Sequence, residues 1–163
     1  MILVRKATLR DIPLVISLWK EFVKEHDMMV TDRNKKLITY VHKKLNAADM
    51  WRVFIKKQLK SKKGTVFLAQ VDGTAAGFIL VLVKDEIPIF KIEKMGYVSD
   101  LFVKKEFRGL GISSKLCDRA MKWLGQKGLK HVSIGLYVDN EFAHSVYKKF
   151  GFFDYKLEMR RRI

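Results

Sequence analysis

A chain of 163 residues, 48% hydrophobic and 31% charged, falls in the size range of one domain and has apolar content for a full core, so a single domain over residues 1–163 is expected. No run approaches the roughly 20 apolar residues of a membrane helix, the start Met1-Ile2-Leu3-Val4-Arg5-Lys6 lacks the order of a secretory signal, and one cysteine with four scattered histidines gives neither a disulfide nor a metal site; a soluble, cytoplasmic protein without a membrane or metal partner is the expectation. The formal charge of +16 attracts anions of any kind, whether nucleic acid, acidic protein or a polyphosphate cofactor, and its lysines and arginines are spread along the chain rather than gathered in one tail.

The first element is a weakly alternating strand, Ile2 to Lys6. Thr8 follows as a helix cap, with Asp11 able to return the bond as in a capping box. Ile12, Val15, Leu18, Trp19, Phe22 and Val23 then recur at helical intervals and predict a helix ending near His26 and Asp27. More helix is expected from about Asn34 to Leu59, broken near Asn46. Thr65 to Val71 reads as a strand turning through Asp72-Gly73 into a second, Ala76 to Val83, whose nearly continuous apolar character implies cover on both faces. Tyr97 to Val103 is a further strand. After Gly111, the positions Ile112, Leu116, Cys117, Ala120, Met121 and Leu124 give a helix, followed by a strand Val132 to Val138, a helix Asn140 to Phe150 and a last strand Phe152 to Met159. The order is mixed α/β.

Chemistry concentrates in the strand, glycine loop and helix unit around Arg108-Gly109-Leu110-Gly111-Ile112-Ser113. A helix N-terminus carries unpaired N–H groups and about half a positive charge, so it accepts anions. Gly109 and Gly111 let the backbone amides through Ser114 wrap a pyrophosphate, with Arg108 and Lys115 adding charge. A plain turn has the same local pattern. The loop is neither a Walker loop, lacking Gly-Lys-Ser/Thr, nor a dinucleotide fingerprint, lacking the third small residue and the distal acid.

Joined to Val138-Asp139-Asn140, Ala143, Tyr147 and Gly151-Phe152, this loop resembles the GNAT family of N-acetyltransferases. Arg108, Gly111 and Ser113 match the family's Arg/Gln-x-x-Gly-x-Gly/Ala pattern, with Ser113 as a departure, and Asp100-Leu101-Phe102-Val103 looks like its lead-in. The match extends over about Tyr97 to Phe153; residues 27 to 64 carry none.

The resemblance implies an α+β fold, a central, mostly antiparallel mixed sheet flanked by helices and splayed between the strands at Tyr97–Val103 and Val132–Val138. It implies acetyl-CoA as co-substrate, its pantetheine arm bonding the backbone of Leu101 and Val103, with a main-chain N–H near Leu101 or Phe102 on the thioester carbonyl. Asn140 is implied at the pantetheine, and Gly109, Leu110, Gly111, Ile112, Ser113 and Ser114 at the pyrophosphate. An amine acceptor, a small molecule or a protein, completes the reaction.

Relatives place a glutamate where this chain has Ser99. The candidate base is therefore Asp100, with Glu141 a more distant one; Asp100 reads equally as a structural acid. Tyr147 corresponds to the tyrosine that protonates the leaving thiolate, though it also fits its helix's apolar stripe. Cys117, Trp19, Trp51 and Trp123 read as packing residues, and His26, Asp27 and His144 as surface. Two other functions remain open, a basic nucleic-acid-binding module, which no motif indicates, and a catalytically silent acyl-CoA sensor. The oligomeric state stays open, a homodimer included.

Overall fold

The computed structural model describes residues 1–163. Strand β1 (Ile2–Lys6) leads into a 3-10 turn and helix α1 (Ile12–Arg33); a short α2 (Ile38–Val41) and α3 (Ala47–Lys60) follow, then strands β2 (Gly64–Val71), β3 (Thr74–Asp85) and β4 (Lys94–Val103), helix α4 (Ile112–Gln126), strand β5 (Val132–Ile134) and helix α5 (Glu141–Lys149). The sheet runs β1-β2-β3-β4-β5, antiparallel throughout except for the parallel β4–β5 pair. This is the expected mixed sheet flanked by helices.

Asp72 and Gly73, at φ 48° and 84°, make the two-residue hairpin between β2 and β3. Ala76 through Val81 are all buried, because β3 is covered on both faces. Phe78 and Leu80 pack with Val15, Leu18 and Ile55 of α1 and α3, while Ile79 and Val81 pack with Leu116 and Ala120 of α4. Trp19 stacks on Trp51 at 4.7 Å, tying α1 to α3 as packing residues.

The start of α1 is fixed by Asp11, which accepts from both the N–H and the hydroxyl of Thr8 at 2.8 Å and from the Arg5 guanidinium at 2.6 and 2.9 Å. These bonds, the one from Arg5 foremost, hold the Asp11 carboxyl well below the usual carboxylate range. A depressed folded-state pKa means the stabilisation is fully present above the ordinary value of about 4 and is lost as pH falls from there toward the folded value. Asp11→Asn is accordingly expected to cost about 1 to 2 kcal/mol at neutral pH. In urea melts, the difference from wild type should shrink below about pH 4.

Three expectations are corrected. Helix α1 does not end at His26 but continues to Arg33, because Val30, one turn beyond His26, is fully buried and extends the core-facing stripe. Strand β5 stops at Ile134 rather than Val138, since β4 offers it a partner only over Gly96–Val98. The last strand, Phe152 to Met159, does not form: the segment has strand-like alternation, but no sheet edge is hydrogen-bonded to it.

Candidate active site where β4 and β5 part

Pairing of β4 with β5 ends at Val98 opposite Ile134, while β4 continues along β3 to Val103. The splay begins at a bulge. Val98 pairs with Val81 and Asp100 with Leu80, leaving Ser99 as the extra residue on β4. The bulge re-aims the side chains beyond it: Tyr97, opposite Leu82, and Asp100, opposite Leu80, share the α1/α3 face, where unbroken alternation would set them on opposite faces.

Lys104 N–H donates to the Ala76 carbonyl at 2.8 Å, so by antiparallel alternation Phe102 turns its N–H and C=O toward β3. Leu101 and Val103 turn theirs the other way, to an edge without a strand. The Phe102 side chain is buried in the core. The Val103 carbonyl accepts from Arg108 Nε at 3.0 Å.

Next along the chain stands the glycine loop. Gly109 and Gly111 have φ 80° and 72°, and Gly111 is the cap of α4. The amides from Gly109 to Ser114 donate to no backbone acceptor, giving a row of free N–H groups at the positive end of a 15-residue helix. Arg108 is not among the free charges here: its guanidinium also bonds Glu25 of α1, and Lys104 lies 3.3 Å from Glu21. Lys115 is exposed at the first turn.

On the other side of the cleft, Asn140 caps α5, its side-chain oxygen accepting from Ala143 N–H at 3.1 Å, which leaves its amide NH2 to donate elsewhere. Tyr147 is partly buried between Phe150 and Phe152. Burial, with the nearby Cys117 and Asp100 as lesser causes, pushes the Tyr147 phenol well above its ordinary pKa. Loss of hydration also raises Asp100, against a bond from the Ser99 hydroxyl. Asp100 and Tyr147, far apart in sequence, are thus within electrostatic reach of one another. Cys117 is raised to about 12, as suits a packing thiol. Glu141 is exposed at the first turn of α5.

Several residues lie outside the expected site, among them His26, which was expected at an exposed helix end and is corrected to a partly buried position within α1. Lys84 Nζ sits 3.1 Å from the centroid of the Tyr97 ring, and the Tyr97 hydroxyl lies 3.6 Å from where a Cβ on Gly135 would stand. Desolvation lowers the Lys84 pKa and raises that of Tyr97. His26, half-buried in mid-helix, meets Tyr137 at 5.3 Å and Phe22 at 5.4 Å, and Phe22 in turn meets Phe102 at 5.8 Å. His26 thus joins α1 to the segment after β5 through Tyr137.

A strand with a free backbone edge, followed by a cap of free amides, is the geometry for an extended, amide-containing ligand that ends in a pyrophosphate. The acetyltransferase (GNAT) family model matches residues 26–152. The chain belongs to the GNAT family. It is 30% identical to an uncharacterized N-acetyltransferase, MJ1207, of Methanocaldococcus jannaschii, over 69% of this chain and 48% of that one. It is 29% identical to an N-alpha-acetyltransferase of Sulfurisphaera tokodaii, over 64% and 65% respectively. The chain thus spans about half the length of the first relative and less than two thirds of the second. Its fold matches a predicted acetyltransferase of Clostridium acetobutylicum, solved with acetyl-CoA, at TM-score 0.79 and 18% identity over 99% of this chain and 96% of that one. The family model begins at His26, well before the loop, so it includes the helical region in which no match was expected. No helix is long and apolar enough to cross a membrane.

Proposed function

We propose that this GNAT chain transfers the acetyl group of acetyl-CoA to a free α-amine, by direct attack with both substrates bound. The observation that carries the reading is the unpaired edge of β4 at Leu101 and Val103, leading directly to the free amides of Gly109 to Ser114. That edge is complementary to the pantetheine amides, and the loop to the pyrophosphate. Leu101 is the N–H available to a thioester carbonyl, since Phe102 is turned to β3. When bound, acetyl-CoA supplies an activated acyl group; the chain supplies position and proton handling.

An acceptor amine must be neutral to attack. Deprotonating a lysine side chain of pKa about 10.4 at pH 7 costs roughly 4 kcal/mol or more, and an α-amine of about 8 only about 1. Asp100, with its pKa raised by burial, is a base strengthened toward neutrality and suits the easier proton. The N-alpha-acetyltransferase relative supports the same acceptor class. Family membership gives the nucleic-acid module no support, and the +16 charge suits a polyanionic co-substrate as well as a nucleic acid.

Tyr147 enters as a hydrogen-bond donor. An ordinary thiol, at about 8.5, is a stronger acid than this raised phenol, so full proton transfer to the leaving thiolate is uphill, whereas donation to it is favourable. Tyr147→Phe is expected to lower kcat about tenfold with little change in acetyl-CoA affinity. Unchanged kcat would remove the role.

Thiol release from acetyl-CoA, followed with a peptide bearing a free N-terminus and one blocked there but carrying a lysine, tests the acceptor. Release with the first is expected. Release only with the second would overturn the α-amine, and acetyl-CoA binding without release to any amine would make the chain a sensor.

A further inference from the structure

The hairpin between β3 and β4 closes through the loop of residues 86–93. Its base is held by a bond from the Glu86 N–H to the Glu93 carbonyl at 2.8 Å, and its tip by a turn in which the Phe90 N–H donates to the Ile87 carbonyl at 3.0 Å. Pro88 stands at the second position of that turn, where its fixed φ is favoured, so the tip is held in shape. The turn presents apolar side chains to solvent: Ile87, Ile89 and Phe90 are 60%, 83% and 52% exposed. Polar residues would serve the same turn, and three bulky apolar ones gathered at one tip form a contact surface.

The surround of this tip is basic. Lys91 lies in the loop and Lys94 starts β4. Lys63, 2.7 Å from Asp85, brings the end of α3 and the turn after it, with Lys60 and Lys62, to the base of the loop. On the β5 side the Gly96 N–H donates to the His131 carbonyl at 2.9 Å, which brings Lys130 to the same end of the sheet. All of these lysines are exposed. Most of the nearby acids are already answered, Asp85 by Lys63, and Glu86 by Lys84, whose pKa it supports against desolvation. That leaves Glu93 against Lys60, Lys62, Lys91, Lys94 and Lys130.

We propose that this end of the molecule docks on an anionic lipid surface, with the Ile87–Phe90 tip entering the headgroup region and the lysines lying against the phosphates. Burial of an apolar tip and attraction of lysines to anionic lipid reinforce one another, and neither needs a shaped pocket. Other occupants fit less well. A second copy about a twofold axis would set lysines against lysines. Nucleic acid is recognised by arginine forks and by rings that stack on bases, whereas no arginine lies between Arg52 and Arg108 and the most exposed side chain of the tip is Ile89. The contact is peripheral, so the lack of a membrane-spanning helix does not bear on it. It also leaves the route of the co-substrate open: the loop precedes β4 and the glycine loop follows it, and a 10-residue strand sets them about 30 Å apart.

Cosedimentation of the full chain with lipid vesicles tests this. Binding is expected to vesicles of phosphatidylcholine and phosphatidylglycerol in equal parts, and should fall away with phosphatidylcholine alone or at high salt. Ile89→Asp should weaken it about tenfold or more, and Lys62→Gln and Lys91→Gln about fivefold each. Lys105→Gln, beyond the far end of β4, removes the same charge and should leave binding unchanged. All four positions are exposed, and circular dichroism of each variant checks that the fold is intact. No binding to the mixed vesicles, or equal binding to phosphatidylcholine alone, would overturn the proposal. So would an Ile89→Asp variant that binds like wild type, or a loss in Lys105→Gln as large as in Lys62→Gln, since either would leave only diffuse attraction by a chain of charge +16. Binding to an RNA duplex in place of the vesicles would assign this end to nucleic acid instead.

Discussion

Asp100→Asn is expected to lower kcat/KM by about two to three orders of magnitude while leaving the fold as stable as wild type, or slightly more so, at neutral pH. The two effects have one cause. Burial raises the carboxyl's pKa in the folded chain above its unfolded value of about 3.9, so folding favours the protonated acid. Stability from this group is fully present below the unfolded value and is lost as pH rises through the folded one; an asparagine, neutral at every pH, avoids that loss. A base, conversely, acts only once deprotonated. The part of the acid limb of kcat/KM that Asp100 sets should therefore sit above the ordinary carboxylate value in wild type and vanish in Asp100→Asn, leaving the part set by the acceptor amine. A structural acid gives the opposite stability result, since removing its charge would destabilise the chain. Loss of stability with an unchanged pH profile would return Asp100 to a structural role. Peptides with a free N-terminus are the substrates for the measurement, and circular dichroism melts at pH 7 supply the second readout.

Where chemistry is local, the amino-acid order predicts it well. The glycine loop needs two positive φ values and a helix start, all set within a few residues, and Gly109, Gly111 and the periodicity from Ile112 suffice to place it. The hairpin at Asp72-Gly73 is equally local. By contrast, the bulge at Ser99 depends on where β4 is paired with β3 and where it leaves β5, and a single strand's residues do not encode either partner's register. That one extra residue decides that Asp100 shares a face with Tyr97. The contacts of His26 with Tyr137 and of Lys84 with Tyr97 are hidden for the same reason, since the first joins α1 to the segment after β5 and the second joins β3 to β4. The tail is the converse case: its alternation is real, but a strand also needs a bonded edge, and no backbone hydrogen bond joins residues 153–163 to the sheet.

Gly111→Val is expected to weaken acetyl-CoA binding about 100-fold, through two separable terms. Gly111 caps α4 at φ 72°, where an L side chain costs about 1 to 2 kcal/mol and a β-branched one is at the upper end. A Cβ there meets nothing within 4 Å, so the strain does not come from crowding within the protein. The added side chain instead stands in the open space beside the amides of Ile112 to Ser114, where a pyrophosphate is to approach the backbone. Gly73→Val supplies the control. Gly73 has φ 84° and equally open surroundings but lies in the β2–β3 hairpin, so the backbone strain is similar and the loop is untouched. Both variants should melt earlier than wild type by comparable amounts, and only Gly111→Val should lose affinity. Calorimetric titration of acetyl-CoA into each separates them. Equal affinity in the two variants would mean that the amides at the start of α4 do not hold the pyrophosphate, and that the free edge of β4 binds the co-substrate without them.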